Sequence, residues 1–307
     1  MAKIVIATRK SPLALVQAEF VKKSLALFHP ENDYELLEIL TEGDKILDSP
    51  LSGFGGKGLF VKDIEKAIIE KRADFAVHNV KDLPAELPGE LYISAILKRD
   101  NPFDALISAG KKRLVDLKKN AVIGTSSVRR KSQLLNIRPD LNIVELRGNV
   151  NTRLSKLDSG HFDAVVLACA SLERMGWQER IAQVIDDRMM IPACGQGALA
   201  IESRRQDKIV SELVKSLNDK KTFLEIEAER TVLSRIGAGC HAPVGIYCQK
   251  LSDERFHISA IILTSDGKKS VSAQRVGFKN VIAGFELAND LLEKGGREIL
   301  DELKNRP

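Results

Sequence analysis

The chain has 307 residues, 44% of them hydrophobic and 29% charged, with a net charge of +5. That is too long for one ordinary domain and has the composition of a soluble globular protein, so two or three domains are expected. The mild positive charge is spread along the chain and the few aromatics form no stacking pattern, so nucleic acid is not expected as a partner.

The chain opens on a β-rich run, Lys3-Ile4-Val5-Ile6-Ala7, so no signal peptide is expected, and no later apolar run is long enough to span a membrane. The expectation is a cytoplasmic protein with no membrane partner, whose cysteines Cys169, Cys194, Cys240 and Cys248 are reduced. None of them has Cys-x-x-Cys spacing, so no metal is expected. The first strand runs into Thr8-Arg9-Lys10-Ser11-Pro12, where Ser11 suits a helix N-cap and Pro12 the first helical position. Leu13, Val16, Phe20 and Leu27 then keep one helical face apolar.

Residues 36–40 read as the second strand. From Thr41 to Gly58 there is no periodicity and glycine is frequent, which reads as a functional loop, often a lid. Gly55-Gly56-Lys57-Gly58 is not a phosphate loop: position 51 lacks the required glycine and Gly58 stands where Ser or Thr is needed. Residues 59–70 read as a helix and 73–80 as a strand. Lys81-Asp82-Leu83-Pro84 ends that strand, and Asp82 is the best acid/base candidate, a carboxylate at a strand's end beside a lysine.

Another strand covers 91–97, and the pattern restarts near Asn101-Pro102. A second α/β unit follows, with strands near 105–108, 121–123, 143–146 and 163–168. Its central stretch, Gly124 to Arg153, contains two turns and holds Arg129, Arg130, Lys131, Arg138, Arg147 and Arg153 against only Asp140 and Glu145. Each turn joins a strand to a helix capped by Ser126 or Ser127, and by Asn149 or Asn151. Backbone N–H groups, the helix dipole and forked arginine donors converge there, which reads as a site for a polyanionic ligand. Ile191-Pro192-Ala193-Cys194-Gly195-Gln196-Gly197 reads as a return crossing, and 198–202 as a strand rejoining the first unit. Two α/β units joined by two crossings would form a cleft lined by the basic turns. A helix at 222–235, strands near 243–249, 256–264 and 269–277, and a helix from about 280 to 304 read as a small α+β domain. Cys240, in the flexible turn Gly237-Ala238-Gly239-Cys240-His241, suits thiolate chemistry. Cys169 and Cys248 read as core residues.

The chain resembles the porphobilinogen deaminase family. Seven ordered blocks carry the resemblance: residues 7–14 (Ala7 to Ala14), 55–60 (Gly55 to Phe60), 76–84 (Ala76 to Pro84), 124–130 (Gly124 to Arg130), 146–154 (Leu146 to Leu154), 192–198 (Pro192 to Ala198) and Gly239-Cys240. The resemblance implies two lobes like those of periplasmic binding proteins, joined by two hinge crossings, and a small α+β C-terminal domain with an antiparallel sheet. The expected domains are 1–98 with 197–217, 101–192, and 220–307. It implies a dipyrromethane cofactor held covalently by Cys240 and the condensation of four porphobilinogen molecules into hydroxymethylbilane by a monomer. Asp82 would be catalytic. Lys81, Asp82, Thr125, Ser126, Ser127, Arg129, Arg130 and Arg147 would bind the cofactor. Arg9, Ser11, Lys57, Arg147, Arg153, Arg174 and Gln196 would bind substrate. Asn79 stands where the family often has Ser, Cys194 where Val is frequent, and His241 and Ala242 where Gln and Val are common. The other reading is a two-lobed anion receptor, or a regulator's effector domain, without catalysis.

Overall fold

The computed structural model of the chain describes residues 2–45, 61–239 and 242–304. Lys57, Cys240 and the 46–58 part of the expected lid lie outside the described residues. In chain order the strands are β1 (Lys3–Arg9), β2 (Asp33–Ile39), β3 (Phe75–Asn79), β4 (Leu91–Ile96), β5 (Asp104–Ser108), β6 (Val122–Gly124) and β7 (Asn142–Val144). They continue with β8 (Ala164–Ala168), β9 (Gln183–Ile185), β10 (Leu199–Arg204), β11 (Val244–Lys250), β12 (Phe256–Leu263) and β13 (Ser270–Gly277). The chain divides into two compact units, residues 1–100 with 198–223, and residues 101–197 with 224–307.

The first unit holds a five-stranded sheet in the order β2-β1-β3-β10-β4, and the second a sheet ordered β7-β6-β8-β5-β9. The two follow one plan. In each, the second, first and third strands run parallel, and the strand that follows a crossing, β10 or β5, sits antiparallel in the fourth place. The fold is therefore α/β with two lobes of one sheet order, although the sequence shows no repeat. Every residue of β5 and β8 is buried, which is why β8 and the centre of β5, Ala105 to Ile107, read as apolar runs rather than alternating ones.

The second unit also carries the small antiparallel sheet β11-β12-β13. Ile246, Ile258, Ile262, Leu287 and Leu291 form its core with the helices Lys220–Ile236, Asn280–Leu291 and Arg297–Lys304. Fully buried Glu229 ties this sheet to the return crossing: its two oxygens accept from the Gly195 N–H at 2.6 Å and the Cys248 N–H at 2.8 Å. Cys169 and Cys248 are core residues, as expected. The single helix expected from 280 to 304 is interrupted at 292–296, where Gly295 takes φ +103°, a left-handed conformation that favours glycine. Strand β9 and the helices Cys169–Arg174 and Lys208–Lys215 were not expected. β9 has three residues, too few to show a period.

Candidate active site

In the second unit β7 and β8 flank β6 in parallel, so the turns after all three strands emerge at one sheet edge. Local chemistry shapes those turns. Ser127 caps the helix Val128–Ile137 by accepting from the Arg130 N–H at 3.4 Å, and Thr125 Oγ1 accepts from the Ser127 N–H at 3.2 Å. Asn149 caps the helix Val150–Asp158 by accepting from the Thr152 N–H at 2.9 Å. Gly148 precedes that cap with φ +111°, and a Cβ there would press on the Thr152 side chain. Ser126, between Thr125 and Ser127, is exposed.

The two arginines opening the first of these helices turn inward. Arg129 Nη1 donates to Asp104 Oδ2 at 2.8 Å and to the Ile191 carbonyl at 3.0 Å. Arg130 Nε donates to Asp104 Oδ1 at 2.8 Å, and its Nη1 to the Val166 carbonyl at 3.0 Å. Gln196 Nε2 adds bonds to the same Asp104 oxygen at 3.1 Å and to the Pro102 carbonyl at 2.8 Å. Asp104 is fully buried. Burial alone would push its carboxyl up, but the two guanidiniums hold it well below the usual carboxylate range. Burial in turn pushes Arg130 down. One carboxylate thus serves two buried cations, and the group is left net positive.

That excess is felt at Arg153. Its side chain is half-buried, donates to the Gly148 carbonyl at 2.8 Å, and is pushed down to about 10 by burial and by the positive charges of Arg130 and Arg147. Arg147 pairs with Glu145 at 2.6 Å. Arg174, on the helix after β8, donates to the Gly197 carbonyl at 2.8 Å. The structure thus gathers Thr125, Ser127, Arg130, Arg147, Arg153 and Gln196 into one electropositive neighbourhood suited to carboxylates.

In the first unit β1, β2 and β3 are parallel neighbours, so their following turns also share an edge. Ser11 caps the helix Pro12–Phe28 through the Ala14 N–H at 3.4 Å. Arg9 forks onto Asp44, which also accepts from the Thr41 hydroxyl at 2.7 Å. Burial would raise the Asp44 carboxyl, yet Arg9 and Thr41 together lower it. Asp82 and Lys81 lie half-buried in the short turn after β3, and Asn79 Nδ2 is 3.3 Å from Asp82 Oδ2. Among the described residues, no three His, Cys, Asp or Glu side chains are grouped to hold a metal ion.

Sequence reasoning missed Asp104, Asp44 and Gln17, which reaches Asn79. Asp104 did carry a signal: an acid opening a strand that is otherwise small and apolar, beside the crossing. Asp44 sits in the loop read only as a lid, and Gln17 is a polar residue on the buried side of an amphipathic helix.

A family model described as porphobilinogen deaminase, dipyromethane cofactor binding domain, matches residues 4–212, and one described as the C-terminal domain of the same enzyme matches residues 223–293. The chain is 48% identical to a porphobilinogen deaminase of Legionella pneumophila over 308 residues, covering 98% of this chain and 99% of that protein. It is 44% identical to the one from Brevibacillus brevis, covering 99% and 98% of the two chains. Among solved structures it is similar to a substrate-binding domain from Clostridium difficile described as belonging to a molybdenum ABC transporter. That match has a TM-score of 0.45 and 12% identity, covering 73% of this chain and 96% of that one.

Proposed function

The chain belongs to the porphobilinogen deaminase family, and on that premise we propose how its own residues build hydroxymethylbilane from four porphobilinogen molecules. The chain is a transferase of tetrapyrrole biosynthesis that uses a dipyrromethane cofactor. The observation that carries the residue assignment is the crowding of Arg153, pushed down by burial and by the positive charges of Arg130 and Arg147. Each porphobilinogen brings an acetate and a propionate, so the lengthening product gains two negative charges per cycle. Cationic donors already pushed down by their neighbours gain most from such a ligand.

A dipyrromethane primer, held through a thioether to Cys240, would supply the pyrrole carbon to which the first substrate is joined. Lys81, Thr125, Ser126, Ser127, Arg129, Arg130 and Arg147 would hold its carboxylates, while Asp82, which only accepts when ionised, would bind the cofactor at its pyrrole N–H groups. Arg129 and Arg130 do so as a pair anchored from behind by Asp104. Arg9, Ser11, Lys57, Arg147, Arg153, Arg174 and Gln196 orient the incoming substrate. Asp82 is the proton carrier. It gives a proton to the aminomethyl nitrogen, and the carbon–nitrogen bond breaks with its electron pair leaving in ammonia. The carboxylate so formed stabilises the positive charge left on the substrate's pyrrole and methylene. As the new carbon–carbon bond forms, the attacked ring carbon loses its proton to Asp82, which restores the acid for the next cycle.

We assign three domains, 1–98 with 197–217, 101–192, and 220–307, to a cytoplasmic monomer with no nucleic-acid or membrane partner. No described helix is long and apolar enough to cross a membrane. The covalent assignment is checked by intact-protein mass: the purified enzyme exceeds its sequence mass by one dipyrromethane, and Cys240→Ser loses that increment. An active enzyme with the bare sequence mass refutes it.

Arg153→Gln separates function from stability. Removing a cation that its neighbours already disfavour leaves the melting temperature unchanged or raised. Losing one carboxylate partner lowers kcat/KM by about 10- to 100-fold. Steady-state kinetics with thermal melting check both halves, and a lower melting temperature with full activity contradicts the assignment.

A further inference from the structure

Gln17 is only 3% exposed, on the helix Pro12–Phe28 among Ala18, Val21 and Leu25. A buried amide is costly unless it is bonded. Its Nε2 donates to Asn79 Oδ1 at 2.8 Å, and the Asn79 Nδ2 lies 3.3 Å from Gln17 Oε1 and 3.3 Å from Asp82 Oδ2. Asn79 is the last residue of β3, and Asp82 closes the turn that follows. The three side chains form one line from the helix to the proposed proton carrier.

The direction of this line is set by chemistry. An ionised carboxylate only accepts hydrogen bonds, so the NH₂ of Asn79 must face Asp82. The Asn79 carbonyl then faces Gln17, whose NH₂ donates to it. Flipping Asn79 would set its carbonyl against the carboxylate and its NH₂ against that of Gln17. We infer that Gln17 and Asn79 act as a directional amide relay that fixes which oxygen of Asp82 carries the exchangeable proton. An amide NH₂ can only donate, and a carbonyl oxygen accepts better than a hydroxyl oxygen, so the Asn79 bond to Oδ2 favours the acid form of Asp82 that carries its proton on Oδ1. The proton sits on Oδ1, leaves from Oδ1 to the substrate nitrogen, and returns to Oδ1 from the ring carbon. A serine hydroxyl, the residue the family often has here, both donates and accepts, so it can follow either protonation state without a partner to hold it. Asn79 needs Gln17 for that reason. Both are positioning residues, and the inference rests on the assignment of Asp82 as proton carrier.

The test uses the cofactor-loaded enzyme and compares Gln17→Met, Asn79→Ala, Asn79→Ser and the Gln17→Met/Asn79→Ala double variant, measuring kcat, KM and melting temperature. Asn79→Ala is expected to lower kcat about 10-fold with KM within about 2-fold, and Gln17→Met to lower it severalfold. The double variant should match Asn79→Ala alone, because Gln17 acts only through Asn79. Asn79→Ser should recover kcat to within about 3-fold of wild type, and in that background Gln17→Met should cost less. In an Asp82→Asn background Asn79→Ala should cause no further loss. Additive effects of the two single variants, or changes confined to KM or melting temperature, overturn the relay. Should Gln17→Met fail to fold, Asn79→Ala against Asn79→Ser decides alone, and equal kcat for those two overturns it. Full turnover by Asp82→Asn instead sinks the proton-carrier assignment. An inactive Asp82→Asn beside wild-type kcat in Gln17→Met and Asn79→Ala sinks only the relay.

Discussion

Asp82→Asn lowers kcat by about 10²- to 10⁴-fold, the range expected when a positioned acid/base is removed, and leaves the protein folded. Three features carry this expectation. The side chain is half-buried in a short turn after β3, so the isosteric amide leaves no cavity. It cannot exchange a proton at the working pH. It also removes the negative charge that would stabilise a cation on the substrate, so proton transfer and electrostatic stabilisation fail together. Ammonia release under single-turnover conditions reads the loss directly. A melting temperature within a few degrees of wild type separates it from unfolding. Substrate still binds, since the arginine donors are untouched. Turnover near the wild-type rate would mean that another group carries the proton.

Asp104→Ala acts on stability first. Arg129 and Arg130 are almost fully buried, and Asp104 is the only acidic side chain to which either donates a hydrogen bond among the described residues. Removing it leaves two buried cations bonded to carbonyl and amide oxygens alone, which costs about 3–5 kcal/mol. For a chain of this size that corresponds to a fall in melting temperature of roughly 10 °C. The pH dependence has a definite sign. The folded-state carboxyl is held below its unfolded value, near 3.9. Its contribution is therefore complete above about pH 4 and is lost as the pH falls further toward the folded value. Wild type should show this loss in acid titrations followed by circular dichroism, and Asp104→Ala should be less stable than wild type at neutral pH with a flatter acid limb. An unchanged neutral stability would show that the arginines find other counter-charges.

Much of the site was legible because its signals are local. The caps Ser11, Ser127 and Asn149 are short polar residues at the ends of strands, and each does its work within three residues of chain. The two α/β units followed from strand–turn–helix repetition, and the basic turns from composition alone. The sequence could not show that both five-stranded sheets share one order, because that depends on which strand is accepted into the fourth place after each crossing. It could not show β9, whose three residues are a strand only because β5 offers them an edge.

What the amino-acid sequence determined by itself was the family, the cationic turns and the helices that open them, and it offered Asp82 as the candidate acid. All rest on residues close together in the chain. The tertiary structure alone decided which charges are already taken. Arg129 meets Asp104 across 25 positions, Arg9 meets Asp44 across 35, and Gln17 meets Asn79 across 62. An ion pair or amide bond depends on folded distance and burial, which no local period encodes. The result is a division of labour among like residues. Arg129 and Arg130 share one buried carboxylate from within, while Arg153 is kept charged among charges.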